Sequence, residues 1–290
     1  MASLNRSKKD SAIRAIESRF RGLAAACSAP DPLAEISLAE IAGLLRRGDP
    51  LSGTELALLY AHTGPLAARL ASEGLVAQTA SREHERSTGR QRLAASLAWM
   101  SVGLVSAAQC GLVGTVPRTL ASLELCGLSL GLRSAVLASS VRRAFVAASA
   151  GGVFYPESEL SGGMEELLLS TLGEPFVSEG PTSGGAYAPV AASLRAGERV
   201  QAETILSLCD LHCQFMRRPG KGIEWFVVPP FDLWPVEIVS LLPWVDSTPT
   251  HPLLDGPFAL WHERLTDAEL ERAIADPALT TACERLNLHL

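Results

Sequence analysis

From residue 11 onward, apolar positions return every three or four residues, which is the spacing of a helix face and not the alternation of a strand. Ile13, Ile16, Phe20 and Leu23 mark a first helix over 11–27, which Pro30 and Pro32 are expected to end. Ser37 with Glu40 and Ser52 with Glu55 match the capping-box pattern. They predict a second helix running to about 47 and a third through 60, before Gly64-Pro65 interrupts and starts the next.

Residues 75–92 are polar and charged, and the 25 residues of 93–117 then carry no charge at all. Their Ala, Ser, Gly and Gln content predicts a buried central helix rather than a membrane span. Further helices are expected over about 118–130, 133–149 and 164–172, and the Gly-rich run 180–189 reads as a loop. A helix from about 198 to 217 follows, then a short strand-like run at 223–228 and a helical turn or two over 234–242. Thr266 with Glu269 repeats the capping box, with Leu265 and Leu270 as a hydrophobic staple, and Asp276-Pro277 opens a last helix to about 287.

The pattern as a whole predicts an all-α fold of roughly ten to twelve helices in an irregular, TPR-like array, with little or no sheet. It fits a single helical domain over 1–290 with two lobes, 1–150 and 151–290.

Charge separates those lobes. Residues 1–150 carry 17 basic and 11 acidic side chains, and residues 151–290 carry 8 basic and 20 acidic, within a net charge of −6. An acidic C-terminal half argues against a nucleic-acid partner and for a basic protein one. No apolar leader follows the basic N-terminus, and the six cysteines show no disulfide-scaffold pattern, so a reducing cytoplasm is the expected setting. The uncharged, small-residue segment 93–141 suits a homo-oligomer contact as readily as a core.

The distinctive stretch is 224–261. It holds four of the five tryptophans and seven of the 18 prolines, with Asp232, Glu237, Asp246 and Asp255 interleaved. Rings bury large areas, and prolines fix φ and remove donors, so the segment is expected to be a stiff, irregular platform. Trp225, Trp234 and Trp244 would serve as anchors, or as the frame holding those four acids towards a basic partner. The plainer reading pairs the acids with arginines inside the fold.

Other constellations carry less. Cys209, His212 and Cys213 share one helix face, as zinc ligands would, yet Ile205, Leu208, Phe215 and Met216 make that face an apolar stripe. His251 or His262 would have to supply a fourth ligand. The loop GPTSGGAY lacks the lysine and spacing of a phosphate loop, and Ser183 sits in no nucleophile elbow. Glu83 and Glu85 around His84 lie among Arg82, Arg86 and Arg90, the composition of a solvated, salt-bridged helix or loop. No catalytic residue, metal or cofactor is therefore assigned.

The runs AETILSLCDLHCQF, PPFDLWPVEIVSLL and HPLL resemble the C-terminal part of helical bacterial immunity proteins that accompany secreted polymorphic toxins. The immunity protein 49 family and the helical nuclease-immunity family are the groups concerned. The features shared are Leu208 leading to Leu211-His212, and Trp234 followed by Glu237 in a short helix. The resemblance implies a non-enzymatic cytoplasmic protein that binds a cognate toxin, such as a basic nuclease, and occludes its active site. The alternatives are a helical metal protein or enzyme using Cys209, His212 and Cys213, and a helical scaffold or regulator without a toxin partner.

Overall fold

The computed structural model describes residues 6–46, 49–111, 187–216, 233, 235–247, 249–254 and 266–288. Among the described residues there are helices and no strand, apart from one isolated parallel bridge between Val200 and Val245. The chain is all-α in this sense. The expected helices at 118–130, 133–149 and 164–172 and the strand-like run 223–228 lie outside the described residues.

Contacts divide the chain into two units, neither continuous in sequence. One comprises Met1–Arg21, Pro117–Ser129 and Val153–His262; the other comprises Gly22–Val116, Leu130–Gly152 and Glu263–Leu290.

The second unit is built on α2 (Pro32–Leu45), α3 (Gly53–Gln78) and α4 (Glu83–Gln109), together with α8 (Asp267–Ile274) and α9 (Pro277–Leu286). α3 and α4 form an antiparallel hairpin whose backbones touch. A Cβ on Gly74 would lie 2.9 Å from the Gly89 carbonyl, one on Gly89 2.8 Å from the Gly74 carbonyl, and one on Gly103 would meet Thr63 Oγ1. Nearly every side chain of α4 from Leu93 to Ala107 is buried. The hydroxyls this requires inside are satisfied: Ser96 Oγ donates to the Ala67 carbonyl at 2.6 Å, and Ser101 and Ser106 donate one turn back at 2.8 Å. Among the described residues no helix is long and apolar enough to cross a membrane.

Several helix starts follow the local chemistry. Ser52/Glu55 and Thr266/Glu269 are complete capping boxes, and Asp276 caps α9 with Pro277 in its first turn. Two expectations need correction. α1 (Arg6–Cys27) ends ahead of Pro30 and Pro32 as expected, but α2 is capped by Asp31, whose carboxylate accepts from the Leu33 and Ala34 amides, so it starts at Pro32 and not at a Ser37 cap. Ser37 lies inside α2, fully buried, 3.4 Å from His62 Nδ1.

Gly64-Pro65 does not break the third helix either, because α3 runs straight through Pro65. A proline within a helix forfeits one hydrogen bond, at about 3 kcal/mol. Leu59 and Thr63 before it, and Leu66, Ala67 and Ala71 after it, form one continuous buried stripe that a break would dismantle. Burial of two leucines alone stabilises by about 3–6 kcal/mol, which outweighs the lost bond.

Of the other unit, α1 (Arg6–Cys27) contributes residues up to Arg21, followed in sequence by α5 (Ala188–Arg195), α6 (Ala202–Met216), the single turn α7 (Val236–Val239) and a 3-10 turn, Leu242–Trp244. α5 starts inside the stretch read as loop, with the buried Tyr187 just before it and Pro189 in its first turn. α6 buries Ile205, Leu208, Cys209, Asp210, Leu211, His212 and Cys213.

Candidate functional site

Of the residues singled out for partner binding, Trp244 and Asp246 have described side chains. Trp225, Asp232, Trp234 and Asp255 lie outside the described residues, and Glu237 is placed on α7 by its backbone alone.

The segment around Trp244 is tied down at its backbone. The Val200 amide donates to the Trp244 carbonyl at 2.9 Å, Val245 bridges Val200 in parallel, and the Arg199 guanidinium donates to the Pro243 carbonyl at 3.2 Å. Pro243 sits in the 3-10 turn itself, where its fixed φ limits freedom further. Trp244 is half-buried and Asp246 exposed. One aromatic and one acid of the predicted platform thus stand on a stapled turn.

The same unit contains a buried charge cluster that the sequence reading did not assemble. Asp210 on α6 receives Lys9 Nζ at 2.8 Å, and His251 Nε2 lies 3.4 Å from the same oxygen. The Leu253 amide donates to His251 Nδ1 at 3.1 Å, so Nδ1 carries a lone pair. The proton of a neutral ring then sits on Nε2 and points at the carboxylate. His251, named above as a distant fourth ligand for the Cys209, His212 and Cys213 face, lies instead against Asp210. The signal was Asp210 itself, a carboxylate inside an apolar stripe, which requires partners.

Cys209, His212 and Cys213 are all fully buried within α6. Among the described residues no group of three or more His, Cys, Asp or Glu side chains could hold a metal ion. Burial, then the Asp210 charge, push the Cys213 thiol up to about 12 against the smaller pull of Lys9. Burial and Glu284 do the same for Cys283, also to about 12. Such thiols are poor nucleophiles. A thiol reagent applied to the folded protein at pH 8 is therefore expected to label the half-buried Cys110 well ahead of Cys213 and Cys283. Peptide mapping by mass measures this, and equal rates at Cys110 and Cys213 would refute the burial.

In the second unit, Glu83 pairs with Arg86 at 2.5 Å and with Arg90 at 2.8 Å, and Arg82 approaches Glu85 at 4.0 Å. The stretch is salt-bridged as expected, Arg90 included, but Arg90 is buried and not solvated. Its guanidinium also donates to Glu269 at 2.9 Å, across 179 residues of sequence. Glu269 further accepts from the Ser87 hydroxyl and from the amide and hydroxyl of Thr266. Burial raises its pKa, and those bonds overcome the rise and hold it down to about 2. With every oxygen engaged by structural donors, this network joins α4 to α8 and offers no reactive group.

Comparison of the chain with protein-family models, with curated proteins and with solved structures finds no match in any of the three.

Proposed function

We propose that this protein is an immunity protein. In this reading it is non-enzymatic and cytoplasmic, and it neutralises a cognate secreted toxin by covering the toxin's active site. A basic nuclease fits best, because 20 of the 28 charged side chains in residues 151–290 are acidic. The observation that carries the reading is the stapled turn at 243–246, with exposed Asp246 beside half-buried Trp244. A rigid aromatic next to an outward acid limits the ordering cost of binding and steers a cationic partner. Asp232, Glu237 and Asp255, with Trp225 and Trp234, complete the proposed surface. The full chain is read as ten to twelve helices in an irregular, TPR-like array, counted from the apolar pattern and caps, by order of magnitude.

The reading expects a toxin domain encoded in a flanking gene; absence of one would count against it, and where present it supplies the test. Co-expression of the chain is expected to rescue growth, and the two proteins to co-elute. Asp246→Lys is expected to slow association about tenfold at low salt, with the difference shrinking as salt rises. An association rate and salt dependence that ignore reversal of Asp246, Asp232 and Asp255 together would remove this surface from the mechanism. Growth arrest despite co-expression would remove the function.

A further inference from the structure

We propose that the turn from His251 to Leu254 is a pH-sensitive latch, in which proton uptake by His251 expels the Leu253 amide and opens the turn. His251 closes the turn twice. Its ring accepts from the Leu253 amide at Nδ1, 3.1 Å away, and its carbonyl accepts from the Leu254 amide at 2.8 Å. Leu253 and Leu254 are buried, and His251 is 2% exposed. The chain meets α6 at two places here: Val245 bridges Val200 just before the helix, and His251 meets Asp210 about two turns into it.

A neutral imidazole has one acceptor nitrogen, and the Leu253 amide occupies it. A protonated ring donates at both nitrogens. Its Nδ1–H would then face the Leu253 N–H, donor against donor, in a place that solvent does not reach. Asp210 decides which side gives way. A carboxylate accepts more strongly from an imidazolium than from a neutral ring, so Nε2–H stays with Asp210 and the loss falls on the amide.

Histidine is the side chain whose charge changes near neutrality. Among the described residues, the charged groups at the ring are Asp210 of α6 and Lys9 of α1, which share one oxygen of the carboxylate. Cys213, on the same side of α6, remains a thiol, pushed up to about 12 by burial and then by Asp210. Glu203, on that side two turns earlier, is exposed, and His212 lies about 160° round the helix from Asp210. Beside Lys9, α1 presents Ala12, Ile13 and Ile16, none of which titrates, and Arg6, one turn before it, is exposed. α7, which packs on α6, carries Glu237. Asp255 of the proposed surface follows the turn directly in sequence, so acid is expected to weaken capture of a partner there. That consequence alone rests on the immunity reading, and the experiment needs no partner.

The experiment is amide exchange by NMR on the full chain from pH 7.5 to 5, with the titration of the His251 ring followed in parallel. The protection factor of the Leu253 amide is expected to fall about tenfold or more as His251 takes up its proton. The Val200 amide, bonded to the Trp244 carbonyl in the same unit, is the control and should change less than about twofold. His251→Asn keeps an acceptor for the amide two residues on, as an Asx turn, and has nothing to titrate, so its Leu253 protection should not depend on pH. Leu253 protection that holds while His251 titrates, a fall matched at Val200, or a ring that stays neutral down to pH 5 would overturn the proposal. So would the same pH-dependent fall in His251→Asn.

Discussion

Arg90→Leu is expected to destabilise the protein by about 3–5 kcal/mol, read as a lower urea midpoint at unchanged m-value. The size follows from burial: Arg90 and Glu269 have side chains only 7% and 5% exposed, so removing the cation leaves a carboxylate inside without its charge partner. Arg90→Leu combined with Glu269→Gln is expected to recover about half the loss, because the amide oxygen still accepts from Thr266 while the uncompensated charge is gone. A double variant no better than the sum of its single changes would show that the pair does not act as a unit.

The pH arm has a definite sign. Glu269 is held at about 2 in the fold against an ordinary 4.5, so its contribution is complete above pH 4.5 and is lost as pH falls towards 2. That contribution is about 3 kcal/mol. In Glu269→Gln, this part of the acid sensitivity should vanish, and urea midpoints measured between pH 5 and pH 3 check it.

The second large effect is expected at the helix crossing. Gly89→Ala should cost about 3 kcal/mol, although alanine raises helix propensity by about 1 kcal/mol at an unconstrained site. The new methyl would meet Gln78 Nε2 at 2.6 Å, the Ala77 Cβ at 2.8 Å and the Gly74 carbonyl at 2.8 Å. A flexible side chain can retreat, but a carbonyl inside a helix can do so only if α3 and α4 separate. Gly22→Ala, where a Cβ meets nothing within 4 Å, is the control and should be neutral or stabilising. Thermal melting of both variants distinguishes contact from propensity, and equal melting temperatures would deny the close approach.

What was legible in the sequence was local. A capping box needs two residues three positions apart, so Ser52/Glu55 and Thr266/Glu269 could be read directly, as could Asp276-Pro277. The uncharged run from Leu93 showed itself as a core helix because serine and glycine dilute it too far for lipid. The error at Pro65 has a physical cause: a proline in a helical pattern reads as an interruption, while the burial gained by continuing through it depends on neighbours that no short window contains. Arginines usually face water, so the local sequence puts Arg90 there, while Glu269, its buried partner, lies 179 residues away. Asp210 was nearer to legible, since a carboxylate flanked by Cys209, Leu211 and Cys213 had to find a cation, but nothing local points to Lys9 or His251. Of the tryptophan-rich platform, composition indicated only stiff residue types. The bonds from Arg199 and Val200 to the turn at Trp244 could not be read from the residues alone.

The reach of the Arg90–Glu269 pair also bears on how the chain is made. On the ribosome, α3 and α4 emerge long before α8 and α9, which pack against α4. Until those late helices arrive, the nascent hairpin shows water the apolar flank they will cover, and Arg90 keeps Glu83 but lacks Glu269. Completion of this unit is thus deferred until residues 267–286 have been made, an interval in which a chaperone has reason to hold it.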